Sequence, residues 1–228
     1  MLMQAKEQMN GMRPFTEIQQ LVTSAIEVKP LNPKDHYKIL ESIGKGGFAT
    51  IFKCMRISDR GEVVLKHTGK SNSERQSVIN ECSLINHLNT PYIVTCEEVF
   101  EYDNRIWVFL ELMQGGDLAH IVMKSSDVYS EAFCKYSLLM VARGLKVMHD
   151  NNVLHRDIKS ENILCRPDGT IKIADLGLSV FLHEQQMFRN SLKGTANWFS
   201  PEIAQGVYYS KEVDVWAYGC FAYELATG

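Results

Sequence analysis

The stretch LHRDIKSENIL, residues 154–164, places an acid, a base and an amide at short intervals between two apolar runs. Asp157 is a carboxylate able to take a proton from a hydroxyl. Lys159, two residues on, can neutralise charge growing on a phosphate, and Asn162, five on, offers an oxygen to a metal ion. In a loop, that spacing can bring all three side chains to one site. IADLG, residues 173–177, follows the strand-like TIKIA and puts Asp175 at its end, where it suits a hard cation such as Mg²⁺. Earlier in the chain, VVLK ends an apolar strand on Lys66, an ammonium that is costly there unless it meets an anion. Glu81, fifteen residues later, lies in a helical segment; an ion pair between the two would hold the ammonium over a phosphate-sized space. IGKGGFATIFK, residues 43–53, sets Gly44, Gly46 and Gly47 between two strands, so that backbone N–H groups can approach phosphate oxygens. Each feature alone has an ordinary explanation: a solvated loop, a plain turn, a lysine whose stem lies along a sheet. Their common chemistry is the handling of phosphate.

Residues so far apart in sequence need a scaffold to bring them together. From Tyr37 the pattern is β: YKILESI, ATIFKCMRI and EVVLKH read as three short strands, the last two joined through SDRG. Ile79, Cys82, Ile85 and Leu88 then form one helical stripe, closed by Pro91. YIVTCEEVFEY and RIWVFLEL return to strands around a turn at Asp103-Asn104. After Gly115-Gly116 the chain turns mainly helical, with Cys134, Leu138, Val141, Leu145 and Met148 marking a buried helix face. A sheet-rich part and a helix-rich part therefore meet near Met113. Residues 1–36 stand apart as a Met-rich leader. Phe15, Ile18, Leu21, Val22 and Ile26 predict one amphipathic helix there, and Pro30 and Pro33 mark a short linker. No strand–loop–helix order follows the glycine-rich stretch, which argues against a dinucleotide fold or a Walker-type loop.

Composition sets the outer limits. The 228 residues, 45% of them hydrophobic, can build a sizeable core. A net charge of −3 gives no reason to expect nucleic acid or an anionic membrane as partner. The six cysteines lie far apart with no CxxC pair, which favours reduced core thiols over a metal or disulfide framework. No apolar run approaches the roughly 18 residues a membrane span needs. A cytoplasmic protein is expected.

Taken in order, GKGGFATI, VVLK with Glu81, HRDIKSEN, DLG and SPE resemble the signature set of eukaryotic protein kinases over about residues 37–228. The resemblance implies an α+β, two-lobed fold: a small antiparallel-sheet lobe with one helix over 37–112, and a mainly helical lobe from 113. That second lobe is expected to be truncated after its central buried helix, leaving Glu202 without the arginine that relatives supply. It also implies ATP and Mg²⁺ as cofactors. Ile43, Gly44, Lys45, Gly46, Gly47, Phe48, Ala49, Thr50 and Ile51 would cover the nucleotide. Val64 would pack on adenine with Ile43 and Ile51, Leu110 would stand behind it, and the backbone of Glu111 and Met113 would bond it. Lys66, paired with Glu81, would hold the α- and β-phosphates. Asp157 would accept the substrate proton with Lys159 beside it, and Asn162 and Asp175 would bind Mg²⁺. All four groups, Lys66, Asp157, Asn162 and Asp175, are expected to converge on one cleft.

Lys159 after HRD, and GTANWFSPE, resemble the serine/threonine class, and the wording of the loops is most similar to the Ste20/p21-activated branch. Ser191 and Thr195 occupy regulatory positions, with Arg156 placed to pair with a phosphate on Ser191 delivered by an upstream activating kinase. Asp214 in DVWAYG matches a buried aspartate that supports the catalytic loop. Protein substrates bearing Ser or Thr are implied. Ala49, Val64, Leu176 and Ser200 depart from the usual residues without removing a reactive group. The competing expectation is a kinase-like scaffold that binds nucleotide or a partner without efficient catalysis.

Overall fold

A computed structural model describes residues 26–45, 50–68, 72–124, 130–182 and 188–227. The expected leader helix through Phe15 and Val22, and loop residues Gly46, Gly47, Phe48 and Ala49, lie outside the described residues. The chain divides into two compact units, the first ending at Gln114 and the second continuing from Gly115. Met113, expected to open the second lobe, belongs to the first unit.

The N-terminal unit contains strands β1 (Val28–Lys29), β2 (Tyr37–Lys45), β3 (Thr50–Arg56) and β4 (Glu62–Thr68), helix α1 (Asn72–Leu88), and strands β5 (Cys96–Tyr102) and β6 (Arg105–Glu111). They form one sheet in the order β1-β5-β6-β4-β3-β2. The pairs from β2 to β6 are antiparallel, whereas β1 runs parallel to β5. Part of the expected linker is thus a sheet edge, anchored where Lys29 bonds Glu98 and Tyr37 Oη donates to Glu98 Oε2 at 2.5 Å. Hairpin β5–β6 turns at Asp103-Asn104, both left-handed (φ 53° and 56°), as such a tight turn requires. β5 begins only at Cys96, so YIVT is not part of the strand.

Alternation divides the work of this sheet between two faces. Leu65 pairs with Phe52 and Phe109, and these join Tyr37, Phe100 and Trp107 in a buried cluster. Tyr37 stacks on Phe109 with ring centroids 3.7 Å apart. Lys66 pairs with Ile51 and Val108, and Val64 with Lys53 and Leu110, so these side chains occupy the opposite face. On α1 the buried stripe is Val78, Cys82, Ile85 and Leu88; Ile79 is only half-buried, one position off the expected line.

The C-terminal unit contains β7 (Gly116–Asp117), α2 (Leu118–Lys124), α3 (Glu131–Asp150), β8 (Val153–Leu154), β9 (Ile163–Cys165), β10 (Ile171–Ile173), β11 (Val180–Phe181), α4 (Pro201–Ala204) and α5 (Glu212–Thr227). Ser130 caps α3, its hydroxyl accepting the Phe133 N–H at 3.2 Å. The buried face of α3 runs through Ser137, Met140, Val141, Gly144, Leu145 and Met148, so Cys134 and Leu138 sit at its margin. Short strands β7, β9 and β10 make one sheet, and β8 and β11 another. At Gly115 an added Cβ would lie 2.5 Å from Cys165 Sγ, so only glycine lets the chain pass there. Together the two units give the α+β, kinase-like architecture.

Candidate active site

The C-terminal unit builds its site on the loop between β8 and β9. Two bonds from the backbone fix that loop's entry. The Asp214 carboxylate, fully buried at the start of α5, accepts the His155 N–H and the Arg156 N–H, each at 2.8 Å, and faces His149 Nε2 at 2.9 Å. These bonds hold Arg156 at φ 70°, a left-handed conformation that an L-residue adopts at a cost. His155 is also fully buried. Its Nδ1 accepts the Asp157 N–H at 3.2 Å, so its proton sits on Nε2 and is donated to the Ala174 carbonyl at 3.2 Å.

Asp157 is thereby presented to three partners. Thr195 Oγ1 donates to Oδ1 at 2.6 Å, Lys159 Nζ lies 3.2 Å from Oδ2, and Asn162 Nδ2 donates to Oδ2 at 2.9 Å. Lys159 Nζ also donates to Thr195 Oγ1 at 2.8 Å, which closes the ring. Burial pushes the Asp157 pKa up, but the bonds from Thr195, Lys159 and Asn162 outweigh it, and the carboxyl is held below its ordinary value. An ionised carboxylate next to a lysine is suited to taking a hydroxyl proton. Thr195, expected to be regulatory, sits on the Asp157 carboxylate itself. It reaches that place because Gly194 (φ +119°) passes where a Cβ would be 2.5 Å from the Arg156 carbonyl.

Asn162 and Asp175 are brought together by the β9–β10 pairing, which aligns Ile163 with Ile173. The Ala174 N–H donates to the Asn162 carbonyl at 2.8 Å, setting the exposed Asp175 beside the loop at φ 58°. Because Asn162 Nδ2 is spent on Asp157, its Oδ1 is the atom left for a cation. One amide oxygen and one carboxylate fit Mg²⁺, which keeps waters and takes phosphate oxygens as its other ligands. Among the described residues no cluster of three or more His, Cys, Asp or Glu side chains forms a metal cage.

Arg156 reaches in the other direction. Its Nε donates to the Leu178 carbonyl at 2.7 Å, and its Nη1 to Ser191 Oγ at 2.9 Å. Tyr209, which the sequence did not single out, has its hydroxyl within 3.3 Å of the same Nη1.

In the N-terminal unit, Lys66 Nζ meets both oxygens of Glu81, at 2.9 and 3.1 Å, with Glu81 buried and Lys66 partly open. The neighbouring Cys82 thiol has its pKa pushed up, first by its bond with Cys96 and then by burial. It therefore stays neutral and adds no charge beside the pair. Ile51, Val64 and Leu110 share the Lys66 face, and Gly44 pairs with Ile51 next to them. Thr50 begins β3, while Ile43 is exposed at a register shift and Lys45 ends β2. The Glu111 side chain accepts the Thr95 N–H at 2.7 Å, and its own N–H is given to the Thr95 carbonyl at 3.1 Å. Met113 is buried.

The family described as protein kinase domain matches residues 37–228. The chain belongs to the protein kinase family. Similar kinases include serine/threonine-protein kinase pakA of Dictyostelium discoideum, 33% identical over 86% of this chain and 16% of that protein. Serine/threonine-protein kinase PAK 1 of Mus musculus is 30% identical over 86% of the chain and 36% of its own length. Serine/threonine-protein kinase pak-1 of Caenorhabditis elegans is 30% identical over 98% of the chain and 38% of its own length. The chain thus spans well under half of each of these kinases. The p21-activated group expected from the loop wording is among the relatives.

Proposed function

We propose that this kinase chain transfers the γ-phosphate of ATP to Ser or Thr hydroxyls of proteins. The observation that carries the reading is the Asp157 ring, a carboxylate kept ionised by Thr195, Lys159 and Asn162. In this reading Asp157 orients the acceptor hydroxyl and takes its proton, and Lys159 offsets charge on the phosphoryl group. Asn162 and Asp175 hold Mg²⁺, which when bound neutralises phosphate charge. Lys66, oriented by Glu81, holds the α- and β-phosphates. Residues 43–51, Val64, Leu110, Glu111 and Met113 bind the nucleotide. The chemistry requires both sets of residues to serve one ATP, with positioning and electrostatics supplying most of the catalysis.

Regulation by phosphorylation of Ser191 is supported by its bond to Arg156. Burial, and then the positive charge of Arg156, push the Arg189 pKa down, so a phosphate there would relieve the repulsion of two guanidinium groups. An upstream kinase is the source of that phosphate. Free thiols at all six cysteines fit a reducing, cytoplasmic setting, and no helix among the described residues is long and apolar enough to cross a membrane.

Radiolabelled phosphate transfer to a generic protein substrate tests the reading. Asp157→Asn should lower incorporation by about 10²–10⁴-fold; equal incorporation by the two proteins would remove Asp157 from the mechanism. A second reading, a partner-binding scaffold, is favoured by one observation: Trp198, Val215, Trp216 and Tyr223 line an open groove of about 1000 Å³ along α5. Near-wild-type partner binding with no transfer would favour it.

A further inference from the structure

We propose that the Tyr209 phenol is a positioning group that seats Ser191 on Arg156 before any phosphate is present. Tyr209 is buried to 1% exposure, its ring packed with Leu154, Leu182, Ile203 and Val213. Only its hydroxyl leaves that core, and it does so toward the regulatory loop. The hydroxyl donates to the Ser191 carbonyl at 2.8 Å. With its one proton placed there, its oxygen accepts from Ser191 Oγ at 3.2 Å and from Arg156 Nη1 at 3.3 Å. Ser191 Oγ in turn accepts from Arg156 Nη1 at 2.9 Å, so every donor in the triangle has an acceptor. The backbone repeats the tie. Arg189 N–H donates to the Tyr209 carbonyl at 2.9 Å, and Tyr209 N–H to the Arg189 carbonyl at 2.8 Å.

The consequence is a loop ordered by a neutral latch. The bond to the Ser191 carbonyl does not involve the atom that a kinase would modify, so it survives phosphorylation. The weaker bond from Ser191 Oγ–H is lost when that oxygen is esterified. At that point the phosphate dianion meets the Arg156 guanidinium, and a charge-assisted contact takes over the ordering. Tyr209 thus sets how much of the active arrangement exists without phosphate, and so the basal activity. This rests on the phosphotransfer reading for one of its two readouts.

The test compares the wild-type chain, Tyr209→Phe and Ser191→Ala, each without phosphate, and the first two also with phosphoserine incorporated at position 191. Hydrogen exchange of amides 188–193 and steady-state phosphotransfer are measured on each. Tyr209→Phe keeps the ring in the core and removes only the oxygen. In the unphosphorylated chain it should speed exchange and lower kcat by about tenfold or more, the combined worth of the three modest hydrogen bonds that oxygen makes, with KM for ATP unchanged. Phosphoserine should bring both values back to within about twofold of wild type, because a charged pair outweighs the lost bonds. Ser191→Ala retains the phenol–carbonyl bond and should leave exchange slow. Unchanged exchange in Tyr209→Phe, a deficit that phosphoserine does not repair, or equally fast exchange in Ser191→Ala would each overturn the proposal. If the wild-type chain transfers no phosphate, the phosphotransfer reading fails, while the exchange data still decide the latch.

Discussion

Asp214→Ala offers a demanding check on how the catalytic loop is held. The wild-type carboxylate has no exposure and accepts two backbone N–H groups, from His155 and Arg156, besides facing His149. Alanine leaves both N–H groups buried without an acceptor, at about 1–3 kcal/mol each. Arg156, freed from φ 70°, can relax and recover about 1–2 kcal/mol of left-handed strain. The net loss is then about 3 kcal/mol. For a chain of this size that corresponds to a fall in Tm of about 6–12 °C. Asp214→Asn should lose less, since one oxygen remains, although its NH₂ now faces a donor. Thermal unfolding followed by near-ultraviolet circular dichroism reads the shift. Phosphotransfer should fall in both variants even below the transition, because Asp157 follows directly on the two anchored residues. A Tm within about 2 °C of wild type for Asp214→Ala would mean that the loop is held by something else, and the reasoning would fail.

Asp157 has a folded pKa below its ordinary value of about 4. The stability from its contacts is therefore present above that ordinary value and lost only as pH falls through the lowered one. The acid limb of kcat/KM should lie below about pH 4, and Thr195→Val, which removes one of the bonds that lower the pKa, should move it upward in a pH–rate profile. Gly194→Ala should cost about 2–4 kcal/mol by denaturant titration and reduce phosphotransfer, since its Cβ would lie 2.5 Å from the Arg156 carbonyl at φ +119°. Glu81→Gln removes the carboxylate that orients the partly buried Lys66 ammonium, and should reduce kcat/KM for ATP by about tenfold or more in steady-state assays.

Much of this site was legible because its residues fall within short local motifs. Asp157, Lys159 and Asn162 lie within six positions, and the ring they make follows from that loop. The Lys66–Glu81 pair was also readable, because alternation on β4 turns Lys66 away from the face carrying Leu65. Two-residue strand β1 was not readable. Its pairing with β5 spans about seventy positions, and Val28–Lys29 followed by Pro30 carries no local strand signal. The buried stripe of α1 was read through Ile79 where packing uses Val78, a one-residue rotation that apolar residues at both positions conceal. Thr195 was grouped with the regulatory residues, and its contact with Asp157 was not readable: the hydroxyl reaches that carboxylate across thirty-eight positions, by way of a glycine whose left-handed turn no spacing rule specifies. Tyr209 escaped notice because a tyrosine in a core-like run looks like packing until its hydroxyl is followed.

The proposed phosphotransfer requires Lys66 and the Asp157 loop to act on the same nucleotide. An acyl-phosphate derivative of ATP, which acylates lysines near its phosphates, examines that directly when the labelled sites are mapped by mass spectrometry. Lys66 and Lys159 should both be labelled, and free ATP with Mg²⁺ should protect both over the same concentration range. Labelling of only one, or protection of the two at clearly different ATP concentrations, would contradict it.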